Sequence, residues 1–213
     1  MSSLATLRAD LRKDLHDEDA AAYRWVDNVL DRHIKRALRE YSQLSPLEQK
    51  AAALTSAGTR DISISALTPR VRVVAVEFPT LQYPPAFVPF SLWGDTLTLD
   101  LISAPSAIEN VNIFWHKEHA INGSVTFPIA HDDIILCGAA GYAALEWGSF
   151  ASNRVNTGGP DVWGRYMDFA NLRLAQFREM LAGLPAVSRV KTSQLYAPIP
   201  GRLTSQSTDP GPV

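Results

Sequence analysis

The sequence predicts an α+β fold: an antiparallel helical bundle of about four helices, an inserted small antiparallel β-module, and an extended C-terminal arm. Three observations predict it. Apolar residues recur at helical spacing in two early segments and again in two segments after residue 128. Between Gln49 and Phe127 they alternate instead with a period of two. From residue 185 onward neither period survives. The implied organisation is a helical core from 1–46 and 128–184, a β-module at 47–127, and an arm at 185–213.

The first helix is set by Leu4, Leu7, Leu11 and Leu15, one apolar stripe, with Arg8, Asp10, Arg12, Lys13 and Asp14 off it and Ser2 or Ser3 as its cap. Asp17-Glu18-Asp19 ends the stripe and reads as a solvated turn. A second helix follows over Trp25–Tyr41, opened by Trp25-Val26-Asp27, with Val26, Val29, Leu30, Ile34, Ala37, Leu38 and Tyr41 on its buried side. Asp27 and Asp31 lie early and Arg36 and Arg39 late, as the helix dipole favours. Asp31 and Lys35 have the spacing of an ion pair along one helix. The two stripes predict a helical hairpin that needs a further partner.

Strands are expected around Ile62–Ile64, Val71–Val76, Leu97–Leu101 and Val111–Trp115, punctuated by Gly58, Pro79, Pro84-Pro85, Gly94-Asp95 and Pro105. These make a small antiparallel sheet. The segment Leu81–Pro89, with Tyr83, Pro84, Pro85 and Phe87, reads as an ordered loop. A third helix begins after Pro128, with Asp132 and Asp133 in its first turn. It runs through Ile134–Trp147 and is rich in Gly138, Ala139, Ala140, Gly141, Ala143 and Ala144. Small residues let another backbone approach closely, so this is the expected centre of the bundle. Asn153–Gly159 is a polar loop. The fourth helix opens at Pro160, carries Trp163, Tyr166, Met167, Ala170, Leu174, Phe177 and Leu181 on one face, and stops at Gly183 and Pro185.

The arm holds Pro185, Pro198, Pro200, Pro210 and Pro212, and Arg189, Lys191 and Arg202 against the single acid Asp209. Val187, Val190, Leu195, Tyr196, Ile199 and Leu203 are more apolar groups than a flexible linker carries. This composition predicts a segment that gains order on another surface.

The chain of 213 residues has a net charge of −2, so an overall basic field for gripping nucleic acid is lacking. Its one cysteine, Cys137, excludes an internal disulfide and sits in an apolar run that predicts burial. The opening residues are too charged for a secretory signal, and the apolar stretch Ile134–Leu145 is shorter than the ~20 residues of a membrane helix. A cytoplasmic setting, with no membrane, is the expectation.

The sequence holds no complete catalytic motif. His116-Lys117-Glu118-His119, with His131-Asp132-Asp133 further on, offers metal-ligating groups. A zincin needs two histidines a helical turn apart; here the residues end a strand, which sends His116 and Glu118 to one face and His119 to the other. Ser103 and Ser149 lack a nucleophile elbow. Gly138-Ala139-Ala140-Gly141 lacks the Lys-Ser/Thr of a phosphate loop, and Asp161 opposes an anion at the Gly158-Gly159-Pro160 turn. Trp93, Trp115 and Trp147 at strand and helix periods read as core. Arg32, Lys35, Arg36 and Arg39 read as a solvated helix face. No catalytic, metal or cofactor residue is assigned.

The helix Trp25–Tyr41, with Trp25-Val26-Asp27 at its start and Ala37-Leu38-Arg39-Glu40-Tyr41-Ser42 at its end, resembles the second helix of head–tail adaptor proteins. These are the connector, neck or head-completion proteins of tailed bacteriophages and of gene transfer agents. The order of segments is also similar: a β-module ending in a strand like Val111–His119, a Thr126-Phe127-Pro128 entry, the Ala-rich helix, a last helix and an extended tail.

The resemblance implies a structural virion protein with no catalytic residues. It implies a homo-oligomeric ring, twelve-fold in such proteins, that joins the portal protein to another neck or tail component (a stopper, tail terminator or nozzle) and lets DNA pass without specific binding. The place would be the virion neck, assembled in the bacterial cytoplasm. The arm would contact the portal or a neighbouring subunit through Leu195, Tyr196 and Ile199 as apolar anchors and Arg189, Lys191 and Arg202 as polar ones. Two alternatives stand beside it. One is a nozzle or tail-completion ring subunit. The other is a metal-dependent hydrolase using His116, His119, His131 or Asp133.

Overall fold

A computed structural model describes residues 2–122, 124–151 and 161–184, and the fold is mixed α+β. Its helices are α1 (Leu4–Asp14), α2 (Asp27–Leu44), α3 (Asp132–Ala151) and α4 (Val162–Ala182). Its strands are β1 (Leu47–Leu54), β2 (Asp61–Ser63), β3 (Arg70–Glu77), β4 (Phe87–Val88), β5 (Phe90–Trp93), β6 (Thr96–Leu99), β7 (Asn110–Lys117), β8 (Ile121–Asn122) and β9 (Ser124–Val125). The expected loop 153–159, the first-turn Pro160 and the arm 185–213 lie outside the described residues.

Helix α1 starts where Ser3 accepts a hydrogen bond from the Thr6 amide at 3.1 Å. Leu7, Leu11 and Leu15 are buried, each contributing about 1.5–3 kcal/mol relative to exposure. On α2 the stripe Leu30, Ile34, Ala37, Leu38 and Tyr41 is buried as expected. Val26 is not: it is 58% exposed, because it is the extended N-cap residue and precedes the first helical turn.

Two arginines fasten α1 to α2. Arg8 grips Asp31 through Nε–Oδ1 at 2.8 Å and Nη2–Oδ2 at 2.9 Å, and reaches Asp27 at 2.6 Å. This corrects the expected Asp31–Lys35 pair, since the forked guanidinium offers two parallel bonds that a lysine cannot. Arg12 is buried and donates to Asp17 Oδ2 and Asp27 Oδ1 at 2.7 Å each, and to the Trp25 carbonyl at 2.9 Å. Asp17 is likewise buried and also accepts the backbone amides of Arg24 and Trp25. It is therefore the organising centre of the interhelical loop, not part of a solvated turn.

Helix α3 packs against α1, α2 and α4, the central position its small residues predicted. A 3-10 turn at Ile129–His131 leads into it. Residues 129–151 together are long and apolar enough to cross a membrane, but 72% of their most apolar 18-residue window is buried inside the fold, as in a core helix. Its glycines set the distance to α4. A Cβ on Gly138 would lie 3.0 Å from the Phe177 ring, one on Gly141 2.8 Å from Leu174 Cγ, and one on Gly148 2.9 Å from Met167 Sδ. As α3 advances, its partner on α4 steps back by the same interval, so the pair is antiparallel in constant register.

The β-module has its own core of Ile62, Ile64, Val73, Val76, Phe78, Leu97, Leu99, Val111, Ile113 and Trp115. These come from two antiparallel sheets, β1-β7-β3-β4 and β2-β6-β5, with Ile64 and Phe78 just past the ends of β2 and β3. On the four-stranded sheet the inner face alternates cleanly: Val111, Ile113 and Trp115 stand opposite Ala53, Ala51 and Gln49. Its outer face is polar and interlocked. Asn112 donates to Glu77 at 2.9 Å, Lys50 lies 3.7 Å from Glu77, and Phe87 meets Phe114 edge-on at 5.8 Å. Trp115 and Trp147 pack against the two cores as expected, but Trp93 is 89% exposed, because it ends β5 at the Gly94-Asp95 turn, beyond the facing sheet.

Candidate functional site

The direction of the strands defines two ends of the module. β1 leaves α2 across the buried Pro46, and its register with β7 places Leu47 opposite Lys117 at the helical end and Leu54 opposite Asn110 at the far end. The helical end is stitched to the bundle by His119. Its amide donates to Ser42 Oγ at 3.0 Å, and its Nε2–H donates to the Ser45 carbonyl at 2.9 Å. That tautomer leaves Nδ1 to accept from the Thr126 hydroxyl, also at 2.9 Å. Burial holds the imidazole below its ordinary value, the hydrogen bond to the Ser45 carbonyl opposing the shift.

Tyr41 is the hub of this seam. Its ring meets His119 at 5.3 Å, His131 at 5.6 Å and Phe127 at 5.8 Å, and its hydroxyl lies 2.6 Å from His131 Nδ1. Burial pushes the Tyr41 phenol upward, which keeps it protonated. The structure thus brings His119 and His131 together and keeps His116 apart, on the outer face of β7, where its Nδ1 accepts from Arg72 Nε at 2.9 Å. Both nitrogens of His119 lie within hydrogen-bond distance of protein groups. Among the described residues no group of three or more His, Cys, Asp or Glu has the geometry to hold a metal ion.

Cys137 is buried as expected, its thiol donates to the Arg173 carbonyl at 3.3 Å, and burial pushes its pKa up, away from nucleophilic use. A second bundle contact was not expected: His33 of α2 lies 2.6 Å from Glu146 of α3, which Arg32 also holds. Glu40 and Tyr142 form a like contact lower on the same helices, under the Arg36 guanidinium, and burial with that carboxylate bond pushes Tyr142 up to about 12.

The far end of the module carries five exposed apolar groups. β3 pairs Glu77 with Asn112, so the loop to β4 emerges there and presents Leu81 and Tyr83, both almost wholly exposed. Leu54 ends β1 at the same edge, followed by Thr55, whose amide donates to Glu109 at 2.9 Å. The loop before β7 adds Ile102 and Ile108, tied in through Arg60 to the Ile102 carbonyl and Thr55 Oγ1 to the Ala107 carbonyl. Leu54, Leu81, Tyr83, Ile102 and Ile108 therefore gather at the end remote from the helices. Sequence reading placed Leu81 and Tyr83 in an ordered loop but missed this convergence; the clue was apolar residues in turns, outside any strand period.

The expected arm contacts Arg189, Lys191, Leu195, Tyr196, Ile199 and Arg202 lie outside the described residues. The chain enters that segment from Leu184, which packs on the helical core. No protein-family profile matches the chain, and no curated protein sequence matches it.

Proposed function

We propose that the chain is the subunit of a head–tail adaptor, a structural ring at the virion neck of a tailed bacteriophage or gene transfer agent. The helical core and the arm would face the portal protein, and the tip of the β-module would face the next neck or tail component. The observation that carries this reading is the two-ended build: a helical bundle from which the arm departs at Leu184, and five exposed apolar residues at the opposite end of the module. Apolar groups of this size at one end of a domain mark a contact surface. The net charge of −2 supports a conduit, because each phosphate neutralised by a basic residue would add salt-dependent grip on passing DNA. The hydrogen-bonded histidines and the inert thiol favour contact over chemistry.

Negative-stain imaging of the purified chain mixed with portal rings from the same source tests the reading. Added ring density on one face of the portal is expected. A portal that stays bare at micromolar excess of the chain overturns it.

A further inference from the structure

We propose that a groove between the α1–α2 loop and the start of α4 binds an extended peptide segment of a partner protein, through an acidic side chain on that segment. The inference goes beyond the adaptor reading and does not depend on it. The groove has a volume of about 470 Å³ and is walled by Arg24, Trp25, Arg165 and Tyr166, with Leu15 and Phe169 on its apolar side.

Three features point to this occupant. Arg24 is held in place by aromatic rings: its guanidinium carbon lies 5.6 Å from the Trp25 ring centroid and 5.3 Å from those of Trp147 and Tyr166, and it donates to the Tyr166 hydroxyl. Rings orient a cation without neutralising it. Arg8, Arg12, Arg32 and Arg70 each pair with a carboxylate, whereas among the described residues no carboxylate reaches Arg24 or Arg165. Second, Trp25 is 3% exposed, so its indole is a fixed apolar wall of the groove. A rigid apolar wall beside two cations suits a guest that carries apolar and acidic groups along one strand, as an extended peptide does. Third, Asp14 also lines the groove. One wall carboxylate beside two guanidiniums leaves a single net positive charge, which suits a guest with one carboxylate better than a run of phosphates. The chain's own arm is a poor fit by charge, since Arg189, Lys191 and Arg202 outnumber Asp209.

The test uses the full chain and fluorescence anisotropy. The probes are a fluorescein-labelled peptide of alternating leucine and glutamate, the same peptide with glutamine for glutamate, and labelled oligo(dT). Arg24→Glu and Arg165→Glu lie at exposed positions, and circular dichroism confirms that each variant is folded. Binding of the acidic peptide is expected, weakened by about tenfold or more with glutamine, with either charge reversal, and by added salt. The proposal is overturned if the two peptides bind alike, if the folded variants bind as the unaltered chain does, if oligo(dT) binds more tightly, or if the acidic peptide gives no signal up to about 1 mM.

Discussion

Arg12, in the last turn of α1, donates to Asp27, the first residue of α2, at 2.7 Å, and in the same fork holds the buried Asp17. One guanidinium thereby closes the first helical hairpin from inside. Arg12→Ala leaves the Asp17 carboxylate buried without its cation, and removing one partner of such a pair costs about 3–5 kcal/mol. The urea midpoint should fall accordingly. A loss below about 1 kcal/mol would show that the loop relaxes to hydrate Asp17.

The α3–α4 register predicts opposite signs for two glycine-to-alanine changes. Gly141→Ala sets a Cβ 2.8 Å from Leu174 Cγ and 3.2 Å from the Leu174 amide nitrogen, contacts that the α4 backbone cannot yield cheaply. Overpacking of about 1–3 kcal/mol exceeds the helix-propensity gain of about 1 kcal/mol, so this variant loses stability. Gly164→Ala on α4 meets nothing within 4 Å and should gain about 0.5–1 kcal/mol. Thermal melts of both distinguish a packed helix pair from a loose one, in which both variants would be stabilised.

Acid should destabilise the fold. His33, His116 and His119 all sit below the ordinary imidazole value of 6.5, each chiefly because burial disfavours the charged ring. The unfolded chain therefore binds protons first as pH falls past 6.5, and the contribution, complete above that value, is lost as pH drops through the folded values. Glu146, held below its ordinary 4.5 first by the Arg32 hydrogen bond, acts in the same direction at lower pH. Urea midpoints should decline from about pH 7 to about pH 5. His33→Gln should flatten that slope, and an unchanged slope would remove His33 from the account.

The two ends of the proposed adaptor separate by variant. Ending the chain after Leu184 should abolish portal binding, and Leu195→Ala with Tyr196→Ala should weaken it. Leu81→Ser and Tyr83→Ser touch exposed side chains, so stability should shift by no more than about 0.5 kcal/mol while capture of the tail-side component falls. Sedimentation with portal and with tails reads the two effects separately. Portal binding that survives truncation would reassign the arm.

Much of this fold was legible because periodicity reports burial directly. The stripes Leu7–Leu15 and Leu30–Tyr41 and the alternation Val111–Trp115 each give the buried face. Strand β1 was not legible: Ala51-Ala52-Ala53 has helical propensity, and pairing along the whole of β7 overrides it. The Asp17 cluster escaped because a run of acids looks solvated, and only the arrival of Arg12 from α1 makes burial affordable. Trp93 was misjudged because period says which face a residue takes, not whether a sheet covers it. The His119–Tyr41–His131 seam joins two neighbouring segments to a helix about eighty residues earlier, and no local spacing encodes that contact.

The roots of β1 and β7 have a mechanical consequence. Both strands begin or end against the same turn of α2, with His119 bonded to Ser42 and Ser45 and its ring in tilted contact with Tyr41. The β-module is a lever with its fulcrum on a helix end, not a head on a tether. A load applied at Tyr83 travels down two paired strands into α2, and the bundle feels what touches the tip.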